Sequence, residues 1–349
     1  MEYVFGWCLA YLCLVFSIVI GNKSFLPAFL ALLYFLFMVV MRGSVGTDTE
    51  NYESIIDSLS QGLQFSGIEP GFTILGWGLI WLTESPFIVV RIISCLIVLM
   101  FFLFLRHSTK DERFILLSYF VPAFIYSYSM NALRIGFASL LILLAFQFFR
   151  LSSKSRFVYL LIAATFHYSS LFSIAYIWLS NTRLITLKSF LLVVLSIVLC
   201  AVFVFVNISY FGEKLLSYQG FHSPNIFSGL SKVVVCLVFV IGLLFSDLRG
   251  VDKNKACFLG LACVISFWML STISYAGLRF LDLMSFALPV SIMLMHTKSG
   301  ILLNWQVKTA FFISGLVATV SAYRNFVLEY GYGGSPFMPY HISNHFNIF

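Results

Sequence analysis

Long apolar stretches separated by short polar segments constrain this chain more than any other feature. A helix that crosses a bilayer needs about 20 mainly apolar residues. A soluble domain carries about 25% charged residues, whereas this chain is 10% charged and 60% hydrophobic. The sequence therefore predicts an all-α, polytopic integral membrane protein. The candidate spans are 2–20, 25–41, 86–105, 114–129, 131–149, 190–207, 231–246, 256–275, 278–296 and 301–320.

Two further apolar stretches, 69–83 and 157–180, are irregular, because the first is short and the second contains His167 near its middle. If every stretch crossed the membrane, two or more basic loops would face outward, against the positive-inside rule. The conflict disappears if 69–83 is a short, tilted or re-entrant helix and 157–180 is a broken pair of half-helices. Such breaks are tolerated where they line a water-filled cavity. We expect one membrane domain, 1–349, with about 10–12 membrane helices and both termini outside; whether the two stretches cross fully stays open.

The distribution of charge indicates which segments lie outside the membrane. Residues 43–69 contain five acidic residues and no Lys or Arg, so this loop belongs on the outer side. The net charge of +7 comes from Lys and Arg clustered in short loops, which is typical of topology signals and excludes nucleic-acid binding. Three outer segments are predicted: a loop at 42–68 with a short amphipathic helix, a loop at 208–230 and a tail at 321–349.

The short helix in the first outer loop is expected from about 49 to 60. Thr47 or Asp48 can cap its N-terminus, and Glu50 stands three residues after Thr47, as a capping box requires. Asp48 and Glu50 also form an Asp-x-Glu pair that a divalent ion can use. Two carboxylates are weak evidence for a metal, so neither a metal site nor a cofactor is predicted.

Four arginines are expected in the same outer layer of the membrane, each from a different helix: Arg42, Arg91, Arg134 and Arg279. An ionisable side chain at mid-depth costs about 3 kcal/mol on insertion scales, so such residues usually serve a function. The planar guanidinium binds phosphate oxygens bidentately and keeps its proton. We therefore expect an anion between them, with His167 directed at it from the helix break.

Each of these residues also has a structural explanation. Any one arginine can extend its guanidinium to the lipid headgroups or pair with a neighbour. Arg279 has Asp282 one turn later on its own helix, which is such a pair. His167 alone is explained as a residue that satisfies the backbone at a helix break.

Four short motifs in order resemble those of the bacterial EpsG-like, Wzy-type polysaccharide polymerases, and the resemblance extends over nearly the whole chain. The motifs are Arg-Gly-x-x-Gly-x-Asp-x-x-Asn-Tyr at 42–52, Glu-Pro-Gly-Phe at 69–72, Asn-x-x-Arg-x-Gly at 131–136 and Phe-His-Tyr-Ser at 166–169. The resemblance implies a GT-C-like membrane glycosyltransferase of the bacterial inner membrane with a periplasm-facing site. It would join polyprenyl-pyrophosphate-linked oligosaccharide repeat units into O-antigen or a similar polysaccharide, next to membrane lipid and with a chain-length regulator as a partner.

The motifs also nominate functional residues. The motifs contain the candidates Arg42, Asp48, Tyr52, Glu69, Asn131, Arg134 and His167. The charge argument adds Arg91 and Arg279. The arginines would stabilise the pyrophosphate leaving group in place of a metal. The general base is Asp48, Glu69 or His167, and we expect a carboxylate, Asp48 before Glu69, with His167 orienting the donor.

A lipid-linked oligosaccharide flippase or transporter is the main alternative, because a broken helix and intramembrane arginines also line anion-translocating paths. The absence of an internal sequence repeat and the grouping of the charges at one face argue against it. A membrane acyltransferase with His167 as base is a third possibility, but no second histidine or Ser-His-Asp arrangement supports it.

Overall fold

The computed structural model describes residues 1–63, 65, 69–147, 153–182, 229–249, 251–328 and 337–343. Within these ranges the chain is helical, and its only extended pairing is an isolated antiparallel bridge between Arg42 and Ile342. The all-α prediction is therefore confirmed. The predicted span at 190–207 lies outside the described residues, as do nearly all of the loop at 208–230 and parts of the tail at 321–349.

Five helices form the first part of the chain: α1 (Glu2–Val19), α2 (Leu26–Met41), α3 (Thr49–Ser60), α4 (Pro70–Thr83) and α5 (Pro86–Arg106). Prolines at the first position begin α4 and α5, where the missing N–H costs nothing and the fixed φ suits a helix. With 14 residues, α4 is about 21 Å long. It is therefore shorter than the hydrocarbon core of a bilayer, which is about 30 Å thick.

The predicted span at 114–129 is a composite rod. It consists of α6 (Lys110–Ile115) and α7 (Val121–Tyr126), joined by a π-helical segment at Leu116–Phe120 and followed by another at Ser127–Asn131. Such π segments are rare in α-helices and often mark functional sites. The second one ends on Asn131, which the sequence nominates as a binding residue.

The remaining described helices are α8 (Leu133–Gln147), α9 (Ser153–Phe166), α10 (Ser170–Ser180), α11 (Leu230–Leu244), α12 (Val251–Ser271), α13 (Tyr275–Ser299) and α14 (Trp305–Tyr323). The predicted break within 157–180 is present, because α9 ends at Phe166 and α10 begins at Ser170. Among the described helices, α1, α5, α12 and α13 are long and apolar enough to cross a membrane, and several shorter apolar helices accompany them. This pattern confirms a polytopic membrane protein.

The chain divides into two compact units, here called the first unit (Met1–Leu171 with Lys308–Phe349) and the second unit (Phe172–Val307). In the first unit, α2 packs on α1 and α5, and α5 also packs on α3 and α8. Fully buried Phe35, Phe101 and Phe104 form part of its core. In the second unit, α11, α12 and α13 pack on one another. The prediction of a single domain over 1–349 stays a prediction.

Candidate functional site

A buried carboxylate joins two of the predicted site residues in the first unit. Glu69 has no exposed surface and lies immediately before α4. Its Oε2 accepts a hydrogen bond from Arg134 Nη1 at 2.5 Å, and its Oε1 lies 2.9 Å from His167 Nδ1. Glu69 occupies the N-cap position of α4, but its side chain makes no capping bond there. Glu69, Arg134, His167 and Tyr52 are called the Glu69 cluster below.

Three separate helix ends bring the Glu69 cluster together. Glu69 precedes α4, Arg134 lies in the first turn of α8, and His167 follows the last residue of α9. The start of α4 packs closely on the end of α9, since a Cβ built on Gly71 would lie 2.6 Å from Thr165 Oγ1. A glycine is therefore required at this crossing, which places Glu69 beside the helix break.

The backbone of the helix break is satisfied by local hydrogen bonds. The His167 N–H donates to the Ala163 carbonyl at 3.2 Å, and the His167 carbonyl accepts from the Ser170 N–H at 3.0 Å. Because the backbone holds the turn, the imidazole is not needed to satisfy it. The purely structural explanation of His167 is weakened for that reason.

Tyr52 closes the cluster from the outer helix α3. Its side chain is buried, its ring centroid is 5.9 Å from Arg134 Cζ, and its ring packs on Phe72 with centroids 5.4 Å apart. Burial raises the pKa of the Tyr52 phenol, and the nearby Arg134 opposes that shift. Glu69 is fully buried, whereas the Arg134 and His167 side chains are 21% and 19% exposed. The Arg134 guanidinium and the His167 imidazole are thus partly accessible, whereas the Glu69 carboxylate that binds both is not.

Asn131 holds the loop that carries Asp48. Its Oδ1 accepts hydrogen bonds from Thr47 Oγ1 at 2.5 Å and from the Asp48 N–H at 3.1 Å. Asp48 is the N-cap residue of α3 but makes no side-chain capping bond. The predicted capping box between Thr47 and Glu50 is therefore wrong, because Asp48 and not Thr47 occupies the N-cap position and α3 has no side-chain capping bond.

The Asp48 carboxylate is half-buried and lies close enough to Tyr52 to act on it electrostatically. Among the residues that the structure describes, no hydrogen-bond donor or cation pairs with this carboxylate. Asp48 thus places a carboxylate at the edge of the Glu69 cluster that no described residue pairs with.

Arg42 is fully buried and its guanidinium is bound by the protein itself. It donates to the carbonyls of Val45 and Met130 and to Ser94 Oγ at 3.2 Å. These bonds tie the outer loop to α5 and to the second π-helical segment. Arg42 therefore organises the loop that presents Asp48.

Arg91 is also buried and also serves the loop. Its Nη2 donates to the Gly43 carbonyl at 2.7 Å, its Nη1 forms an ion pair with Glu53, and its Cζ lies 3.8 Å from the centroid of the Phe87 ring. The predicted contacts of Arg42 and Arg91 with a pyrophosphate are untested. The bonds within the protein give both residues a positioning role.

Arg279 belongs to the second unit, where it is exposed in α13. Asp282, its expected partner, forms an ion pair with Lys232 of α11. Sequence reasoning missed Lys232, although a lysine in the first turn of an apolar helix was a usable signal. The first unit therefore contains Arg42, Arg91 and Arg134, and the expected convergence of all four arginines stays a prediction.

The stability of the loop provides a test of the role of Arg42. An Arg42→Met protein should lose roughly 3 kcal/mol or more of stability, because three hydrogen bonds donated by a charged group are lost at about 1.5–3 kcal/mol each. Thermal unfolding in detergent, followed by intrinsic fluorescence, measures the change. Arg106→Met, which removes an exposed arginine at the end of α5, is the control. Normal stability with impaired substrate binding would instead place Arg42 among the ligand-contacting residues.

Comparison with known proteins agrees with the helix pattern and with the motifs. The model of the EpsG family matches residues 25–342, a range that contains the whole Glu69 cluster and the loop of Asp48. No curated protein and no solved structure matches the chain. A match over this much of the sequence shows that the chain belongs to the EpsG family, which is related to the Wzy-type polymerases.

Proposed function

We propose that this chain is a membrane glycosyltransferase that polymerises polyprenyl-pyrophosphate-linked oligosaccharide repeat units at the periplasmic face of the inner membrane. Family membership supports a polysaccharide polymerase-like activity. The observation that carries the proposal is the Glu69 cluster, in which one buried carboxylate holds an accessible arginine and an accessible histidine. The acidic outer loop, which has no Lys or Arg, supports the outward orientation.

On the donor side, Arg134 would stabilise the departing pyrophosphate. The bond between the anomeric carbon and the phosphate oxygen breaks, and the electron pair leaves with the pyrophosphate. Fixed donors in a site of low dielectric constant stabilise such developing charge more than water does. Glu69 fixes the Arg134 guanidinium through one Nη, and a protonated His167 would donate from Nδ1 to Glu69 and from Nε2 to a phosphate oxygen.

On the acceptor side, Asp48 would act as the general base. The attacking sugar hydroxyl forms its new bond to the anomeric carbon, and its proton passes to the Asp48 carboxylate. The hydrogen bond from the Asp48 N–H to Asn131 Oδ1 fixes the backbone beneath this carboxylate. Asn131 is thus proposed as a positioning residue for the base.

Glu69 is less suited to the role of base. Both of its oxygens already bind cationic or N–H donors, and it has no exposed surface that a bulky saccharide can approach. We propose that Glu69 orients Arg134 and His167, as a buried carboxylate orients the side chains that act on substrate in other enzymes. The open alternatives for the base are therefore Asp48 and His167.

A polymerisation assay tests the function. Purified protein in lipid vesicles is supplied with defined lipid-linked repeat units, and products are separated by length. We expect chains longer than one repeat unit, with a rate unchanged by a divalent-ion chelator, because Arg134 supplies the charge that a metal would otherwise provide. Loss of activity in chelator would instead favour a divalent metal site at Asp48 and Glu50. Transport of the lipid-linked unit across the vesicle membrane without extension would support the flippase alternative and refute the polymerase.

A further inference from the structure

A segment near the end of the chain, residues 337–343, pairs with the start of the first outer loop within the first unit. The Gly43 N–H donates to the His341 carbonyl at 2.9 Å, and the Ser343 N–H donates to the Met41 carbonyl at 3.0 Å. The two bonds flank the isolated antiparallel bridge of the fold. Residues 337–343 are called the tail segment below.

Aromatic side chains fix the tail segment to the first unit before it reaches the loop. Phe337 is buried and stacks on Phe326, with ring centroids 3.9 Å apart. The Tyr340 ring meets the fully buried Tyr3 ring edge-on, with centroids 5.9 Å apart. The Tyr340 hydroxyl also donates to the Met38 carbonyl at 2.9 Å. Such aromatic pairs contribute more than the area that they bury, so the tail segment is anchored independently of the loop.

The tail segment leaves no room for a side chain at position 43. A Cβ built on Gly43 would overlap the His341 ring. The Gly43 carbonyl accepts a hydrogen bond from Arg91 Nη2 of α5. Both backbone polar groups of Gly43 are therefore bound, the N–H by the tail segment and the carbonyl by α5.

A chain of bonds leads from the tail segment to Asp48. Arg42 pairs with Ile342 of the tail segment and has no exposed surface. Its guanidinium donates to the Val45 carbonyl, which also accepts a hydrogen bond from Thr49 Oγ1 at 2.6 Å. Asp48 lies between Val45 and Thr49 in the sequence. The position of the Asp48 carboxylate therefore depends on how Arg42 is seated.

We propose that the tail segment is a positioning element for Asp48, because it holds residues 41–43, seats Arg42 and so fixes the loop that presents the carboxylate. This inference rests on the proposed function, in which Asp48 is the general base. A general base must lie within hydrogen-bond reach of the proton that it accepts, and a misplacement of about 1 Å can cost about 10²-fold in rate. The tail segment therefore affects kcat and not donor binding.

A substitution and its compensating partner test this role. Gly43→Ala places a methyl group against the His341 ring and should displace the tail segment, so kcat should fall by about 10–100-fold with the donor KM unchanged. His341→Ala in the same chain removes the obstructing ring and should restore most of the rate. Gly78→Ala, whose methyl group meets open space on α4, is the control and should remain fully active. A normal rate in Gly43→Ala, or a loss that His341→Ala does not restore, would overturn the inference.

The backbone bond to Met41 supplies a second pair of variants. Ser343→Pro removes the N–H that donates to the Met41 carbonyl, whereas Ser343→Ala keeps this N–H and removes only the hydroxyl. We expect kcat to fall in Ser343→Pro and to stay near normal in Ser343→Ala. Equal rates in the two variants would show that the pairing does not position the base.

Hydrogen exchange separates failure of this inference from failure of the proposed function. In Gly43→Ala protein in phosphatidylcholine nanodiscs, backbone N–H groups of residues 43–53 should exchange about tenfold faster, the effect of about one lost hydrogen bond, while α8 stays unchanged. Adding His341→Ala should return the protection. Faster exchange throughout the first unit would indicate a general loss of stability and would refute a positioning role. A chain that polymerises nothing in any form would refute the proposed function, and exchange at residues 43–53 would still decide whether the tail segment fixes the loop.

Discussion

Arg134→Ala should lower the rate of polymer extension by about 10²–10³-fold, the usual effect of removing one donor to a developing negative charge. The Arg134 guanidinium bonds to Glu69 at 2.5 Å and remains 21% exposed, so it is held by the carboxylate and still reaches the surface of the site. Cells with this variant should accumulate glycans capped with single repeat units. Single-turnover rates with saturating lipid-linked donor provide the quantitative measurement.

A second variant separates this chemical role from a loss of folding. Arg134→Ala leaves the buried Glu69 with one cation fewer, and breaking such a pair costs about 3–5 kcal/mol in fully buried sites, less at a partly exposed one. Arg134→Ala combined with Glu69→Gln removes the surplus charge, so this variant should recover thermal stability without activity. Arg134→Lys keeps the charge but loses the planar fork, and should retain part of the rate. Full-length polymer from Arg134→Ala would refute the donor-site assignment.

His167 should behave differently from Arg134. Its Nδ1 contacts the Glu69 carboxylate that also binds Arg134, so His167→Ala removes one partner of that carboxylate and leaves the guanidinium in place. His167→Gln retains an amide N–H within reach of Glu69 and should therefore be more active than His167→Ala. Equal loss in both would indicate that a titrating imidazole is required, which in turn would favour His167 as the base.

The sequence predicted the local features of the fold because short-range chemistry determines them. Pro70 begins α4, the polar run after Asp48 begins a helix at Thr49, and the apolar stretch around His167 is broken where expected. Each of these features depends on residues within a few positions of one another. Apolar stretches and polar runs, which are local patterns, were therefore sufficient to locate them.

The organisation of the candidate site depended on contacts between residues far apart in sequence. Glu69 meets His167 across 98 positions, and Thr47 meets Asn131 across 84. A local rule assigned Thr47 to a capping box, because Glu50 is near it in sequence. The Thr47 hydroxyl instead bonds to Asn131, and the buried Glu69 carboxylate bonds to Arg134 and His167. A local sequence rule does not contain any of these partners.

The sequence criteria of membrane depth and charge could not distinguish arginines that bond to the loop backbone from an arginine that can contact a ligand. Arg42 and Arg91 satisfy the same depth and charge criteria as Arg134, yet their donors bond to the carbonyls of Val45 and Gly43 and to other groups of the chain. Arg134 differs from them in its partial exposure and in its bond to the buried Glu69 carboxylate.

Asp48→Asn should lower kcat by about 10²–10⁴-fold, the contribution typical of a general base, while donor binding stays unchanged. The amide has the size of the carboxylate but cannot accept a proton from the attacking hydroxyl, and the N–H that bonds to Asn131 is retained. Glu50→Gln, an exposed neighbour on α3, is the matched control and should remain fully active. If Asp48→Asn extends polymer at the normal rate while His167→Ala is inactive, the proton must pass to the imidazole held by Glu69, and the outer loop would serve only to position the acceptor.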